Sequence, residues 1–177
     1  MHHHPLLAGL SGNRITLTDF HQILLAFEVY YRLAEAARTA PAPDGMPDAP
    51  VKRWLSHDLR RHGLGAWPAS RELSVPQLDT SAKVAGYLYT KQGSTLGGHV
   101  ISKHLEKQLG LTPGTDQAFF NGYGADNGPQ WKRFVAALED PAANLSEDEV
   151  VNAAQAAFTA IARVCDRVHA LRCADAA

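Results

Sequence analysis

Three glycines fall within six residues of an otherwise helical stretch, Gly93-Ser94-Thr95-Leu96-Gly97-Gly98, and no other feature constrains the fold as much. On either side, Lys83, Leu88 and Tyr89, and then Val100, Ile101 and Leu105, keep helical spacing until Gly110. Each glycine costs about 1 kcal/mol relative to alanine inside a helix, so the spacing predicts one helix interrupted by glycines and compensated from elsewhere. Gly93 and Gly97 lie four apart on one face with Gly98 beside them. That face is stripped of side chains, and a flat object can reach the main chain there. The Ser94 and Thr95 hydroxyls can bond to carbonyls four residues back and bend the helix. On spacing alone, close packing of another helix against small residues explains the pattern equally well.

The rest of the chain is helical by the same criterion. Phe20, Ile23, Leu24, Phe27, Tyr31 and Ala34 form one apolar stripe between Thr16 and Arg38, and Thr16 with Asp19 has the form of a capping box. The run from Pro41 to Pro47 cannot continue a helix. A shorter helix is expected from Val51 to His62, with Trp54, Leu55 and Leu59 inward and Gly63 as its stop. Pro68 and Pro76 mark a loop, and Thr112 to Gly128 reads as a loop around Phe119-Phe120. A helix from Pro129 to Glu139 follows. The last helix opens on Ser146 and Glu149 as a second capping box, with Val150, Ala154, Phe158, Ile161, Cys165, Val168 and Leu171 inward. No stretch alternates with period two, so the expected class is all-α: a single domain over residues 1–177, built as a bundle of six to eight helices.

Charge and cysteine usage narrow the function classes. A net charge of −1 with interspersed signs argues against a nucleic-acid binder or a membrane-surface helix, so any anionic ligand must be held locally. Cys165 and Cys173 lie eight apart in one predicted helix, where ~12 Å of rise forbids an intrahelical disulfide. A reducing cytoplasm is the expected location. Apolar stretches fall short of the roughly 20 residues of a membrane span, and no export signal is read at the N-terminus. His2, His3 and His4 are either native or the relic of a purification tag.

Two blocks carry a family resemblance. Tyr89-Thr90-Lys91-Gln92-Gly93-Ser94-Thr95-Leu96-Gly97-Gly98 resembles the distal-helix motif of bacterial heme oxygenases, an aromatic before a Gly-Ser-x-Leu-Gly-Gly core. Phe119-Phe120-Asn121-Gly122-Tyr123-Gly124, then Gly128 and Trp131-Lys132-Arg133-Phe134, is similar to the Tyr-Gly…Gly…Trp-[RK]-x-Phe signature those proteins carry further on. Weaker similarity covers Pro5 to Leu10, Leu17 to Tyr31 and Leu55 to Leu59, in family order.

The resemblance implies a bundle of heme-oxygenase type with a glycine-kinked distal helix. It also implies oxidative opening of heme to biliverdin, with release of carbon monoxide and ferrous iron. Heme would be both substrate and cofactor, with O2 as oxidant, a reductase or ferredoxin as external electron donor, and a bilin-binding phytochrome as a further partner. Gly93, Ser94, Gly97 and Gly98 would form the catalytic surface. Gly97 and Gly98 would crowd oxygen toward a meso carbon of the ring, and Gly93 and Ser94 would border a proton-donating water. Tyr89 and Lys132 would join these four in holding heme, Tyr89 at its edge and Lys132 at a propionate. On composition alone, Lys132 is a solvated surface lysine.

The chain departs from the family pattern near its start. The ligating histidine usually stands about seven residues before the proline matching Pro5, which here lies upstream of Met1. Three readings stay open: a sequence that starts late, His3 or His4 standing in as iron ligand with His4 the named candidate, or a non-catalytic heme- or tetrapyrrole-binding paralog. Lys91 and Gln92 replace the usual Leu-Glu and are expected to bring a charge near the distal face. His99 is read as solvent-facing, and Lys103, His104 and Lys107 as an exposed basic patch.

Overall fold

The computed structural model describes residues 5–10, 15–67 and 73–175. These fold as seven helices: α1 (Pro5–Ala8), α2 (Leu17–Ala36), α3 (Val51–Arg61), α4 (Ser81–Leu109), α5 (Ala118–Asn121), α6 (Asn127–Leu138) and α7 (Glu147–Asp175). Short 3-10 turns at Gly124–Asp126 and Pro141–Ala143 complete the order, and the described residues contain no strand, so the all-α expectation holds. None of the helices is long and apolar enough among the described residues to cross a membrane.

Helix α2 begins where the sequence says it should. Thr16 caps it by accepting from the Asp19 N–H at 3.1 Å, while the Thr16 N–H donates to the Asp19 carboxylate at 3.0 Å. Its stripe of Phe20, Ile23, Leu24, Tyr30 and Tyr31 is almost wholly buried. Helix α3 ends at His62 and Gly63 in a two-bond reversal: the Gly63 N–H donates to Arg60 O at 3.2 Å and the Leu64 N–H to Leu59 O at 2.8 Å. Gly63 takes φ +65, which explains glycine there.

Helices α4 and α7, the two longest, form the principal contact of the bundle. Their approach is close because Gly86 faces Val150 and Ala153: a Cβ on Gly86 would lie 2.8 Å from that of Ala153. On α7 the inward stripe is Val150, Ala153, Ala157, Ala160, Ile161, Val164, Cys165 and Val168. Phe158, expected inward, is 40% exposed, because the alanines that fit the narrow gap to α4 turn it out. The second capping box forms only by half. The Glu149 N–H reaches Ser146 Oγ at 3.4 Å, but the Glu149 carboxylate accepts instead from the Thr80 hydroxyl at 3.0 Å, tying the start of α7 to the start of α4.

Helix α4 is continuous from Ser81 to Leu109, so the expected interruption at the glycines does not occur. Glycine lowers helix propensity but keeps its N–H, and buried Ala82, Val84, Ala85, Leu88 and Leu105 hold both halves in the core. The Ser94 and Thr95 hydroxyls donate to carbonyls three residues back, Lys91 O and Gln92 O, each at 2.7 Å, rather than four.

Candidate functional site

At 3.6 residues per turn, Tyr89, Gly93, Leu96, Gly97 and Val100 share one face of α4. This face is open. Tyr89 is 39% exposed, Leu96 38% and Val100 71%, and a Cβ built on Gly97 meets nothing within 4 Å. A row of exposed apolar side chains notched by glycine is an unusual surface for a helix that buries Tyr87, Leu88 and Leu105 on its other side.

Gly93 is bordered by Trp131 of α6, whose ring carbons lie 3.6 and 3.9 Å from a Cβ built there. Tyr89 packs edge-on against Trp131 with centroids 5.4 Å apart, and Trp131 stacks on buried Phe134 at 5.7 Å. The two sequence blocks therefore meet: the aromatics of the second form the side wall of the glycine face carried by the first. Lys132, between them, points into solvent and makes no ion pair among the described residues.

Gly98 has a different neighbour. A Cβ on it would stand 2.7 Å from the carbonyl oxygen of Phe120, so this glycine lets α5 lie directly against α4. The segment expected as a loop around Phe119-Phe120 is interrupted by one helical turn at Ala118–Asn121, and α6 starts at Asn127 rather than Pro129. Buried Asp58 of α3 holds that turn, its carboxylate accepting the Ala118 N–H at 2.7 Å and the Phe119 N–H at 2.9 Å. Asn127 then fixes the chain after it, accepting the Tyr123 N–H at 2.9 Å and donating to Asn121 O at 3.1 Å. Gly122 takes φ +60, with Asn127 Oδ1 2.8 Å from where its Cβ would be.

The opposite side of α4 is polar and buried. Lys91, whose charge was expected near the glycine face, turns away from it, and its side chain is 4% exposed. Its ammonium donates to Glu35 and to Asp48, both at 2.6 Å, and Tyr87 donates to the same Glu35 oxygen at 2.8 Å. Burial pushes the Asp48 carboxyl up, but Lys91 and then Arg38 outweigh it and hold the group below the usual carboxylate value. Burial raises the Tyr31 hydroxyl to about 12, partly offset by the neighbouring Ser94 hydroxyl. Ser94 therefore stands between the buried tyrosines of α2 and the edge of the open face.

Of the remaining residues singled out by sequence, His99, Lys103 and Lys107 are exposed as expected. His104 is not: it is half-buried and its Nε2 is covered without a hydrogen-bond partner. His3 and His4 lie outside the described residues. Asp58, Gly86 and Asn127, all decisive for the shape of the site, carry no local sequence signal. A separate cleft of about 570 Å³, lined by Pro76, Lys83, Glu149 and Asn152 among others, lies at the starts of α4 and α7.

Residues 69–167, which include both sequence blocks, match the family model described as heme oxygenase. A heme oxygenase from Xanthomonas campestris pv. campestris (strain 8004) is 33% identical over 138 residues, covering 77% of this chain and 67% of that relative. No solved structure matches the chain significantly. An all-α bundle whose two motif blocks join at one glycine face, matched over more than half its length, belongs to the heme oxygenase family.

Proposed function

We propose that the chain binds heme against the open face of α4 and opens the porphyrin oxidatively to biliverdin, carbon monoxide and ferrous iron. The observation that carries this reading is the bare main chain at Gly97, set among exposed Tyr89, Leu96 and Val100. A porphyrin is flat, apolar over its faces and anionic at one edge. Glycine admits the plane to van der Waals distance of the helix, and the flanking apolar side chains exclude water from its faces.

When bound, heme would supply the iron that activates O2 with electrons from a reductase or ferredoxin. The chain's own residues do the rest. Gly93 and Gly97 set how closely the ring and any small ligand on it approach the helix. Ser94, whose hydroxyl donates to Lys91 O, presents its oxygen lone pairs at the border of the face, where with Gly93 it would seat a proton-donating water. Trp131 and Tyr89 limit lateral sliding, and Lys132 is free to swing onto a propionate. Gly98 acts at one remove, by keeping the α5 turn tight against α4. His4 is the residue of this sequence that would be offered to the iron, and the cytoplasm is the compartment proposed.

Hemin titration tests binding, with a sharp Soret band at one equivalent expected. Reduction in air should then replace that band with a biliverdin spectrum. A Soret band that survives sustained electron supply would make the protein a non-catalytic heme binder, and no band at all would remove the proposal.

A further inference from the structure

We infer that His21 and His62 form a binding site for one first-row divalent metal ion, of the Zn2+, Ni2+ or Cu2+ class, where α2, α3 and the loop before α5 meet. The pair lies outside the glycine face and has no part in the function proposed above.

The geometry begins with a hydrogen-bonded chain. His62 Nε2 lies 2.7 Å from the carbonyl oxygen of Asp116, which can only accept, so Nε2 carries a proton. With that proton at Nε2, the uncharged tautomer of His62 has its lone pair at Nδ1, and His21 Nε2 stands 3.2 Å from that atom. The rings are 4.9 Å apart and inclined at 61°. Two nitrogens at that separation, each about 2.0–2.1 Å from an ion, subtend about 100° there, between square-planar and tetrahedral angles.

Both ligands are held by rigid elements. His21 occupies the second turn of α2, below the Thr16 cap. His62 closes α3, its N–H donating to Asp58 O at 3.0 Å, and the Gly63 reversal follows at once. The His62–Asp116 bond is the kind of outer partner that orients a ligating imidazole and raises its basicity. The charged groups at the junction are already matched: Arg61 Nε donates to Asp116 Oδ1 at 2.8 Å, and Asp116 Oδ2 accepts the Thr112 N–H at 2.9 Å. Partial burial, and then the neighbouring His62, hold the His21 pKa below its usual 6.5, so the ring is neutral at neutral pH.

Binding needs two lone pairs and changes no oxidation state. His62 Nδ1 already has one. His21 gains the other when its proton passes through water from Nε2 to Nδ1, so no net proton is released. Two metal–nitrogen bonds replace one N–H···N bond, and water fills the open positions, to which both half-buried rings leave access.

The test is thermal unfolding with and without ZnCl2. It compares the full chain, the same chain carrying His2→Ser, His3→Ser and His4→Ser, and each of these with His21→Gln or His62→Gln. Glutamine keeps a side-chain hydrogen bond at the junction but is a poor ligand. The terminal triple variant should bind one Zn2+ and gain about 5–10 °C in midpoint at a hundredfold excess over Kd. Either glutamine change should abolish that gain. Nitrogen NMR of the terminal triple variant should show both imidazoles metallated, at His21 Nε2 and His62 Nδ1. Absence of a shift in the terminal triple variant, survival of the shift in either glutamine variant, or unperturbed imidazole nitrogens would each overturn the site.

Discussion

A side chain on Gly98 would begin 2.7 Å from the carbonyl oxygen of Phe120, whereas one on Gly97, a single residue earlier, would meet open space. Adjacent glycines thus answer to different demands, one to folding and one to the exposed surface.

Substitution separates them. Gly97→Leu should leave the melting temperature almost unchanged and abolish the hemin Soret band. Gly98→Ala should cost about 1–3 kcal/mol of stability, because backbone on both sides must shift. Chemical denaturation alongside hemin titration reads both. Equal effects of the two changes on stability would show that the faces are assigned incorrectly.

Asp58→Ala removes the acceptor for two buried N–H groups at once. About 3 kcal/mol of stability should be lost, and hydrogen exchange should quicken at Ala118 and Phe119 before it does in α2. Uniform loss of protection would argue that the α5 turn does not depend on this carboxylate.

Two titrations shape stability against pH, with the same sign. The lowered His21 pKa means that the unfolded chain takes up a proton more readily, so stability should fall as pH drops below about 6.5. Asp48 is also lowered, so its contribution is complete above its unfolded value of 3.8 and is lost as pH falls through its folded value. His21→Gln should flatten the first decline and leave the second. Lys91→Met should erase the second and leave the first. Urea midpoints across this range distinguish them.

Cys165 is 1% exposed and burial raises its thiol to about 12. Alkylation at pH 8 should leave it unmodified in the folded protein and label it fully in urea, as peptide mass spectrometry would show. Rapid labelling without denaturant would mean that α7 is not packed as described.

What could be read in advance was what is local. The Thr16–Asp19 cap, the stripe of α2 and the stop at Gly63 depend on residues a few positions apart, and each is found as expected. Gly93 and Gly97 were legible as two positions of one helical face for the same reason, whereas Gly98, read beside them, lies against Phe120 of a turn 22 residues on. Phe158 was misplaced because hydropathy favours phenylalanine over Ala153 and Ala157, while the gap opposite Gly86 admits only small groups. Lys91 was misjudged because its partners, Glu35 and Asp48, lie 56 and 43 positions away. The Asp58 cap and the His21–His62 pair are equally remote in sequence. Such contacts depend on how helices dock, which spacing along one helix does not encode.

The α5 turn has four residues, far fewer than a helix needs to persist alone in water, and its anchoring carboxylate comes from sixty residues earlier. It therefore has no separate existence before α3 has docked, and the loop that must close around it delays its arrival. Loss of that one carboxylate would therefore loosen the shelf beneath α4 while the long helices still stand.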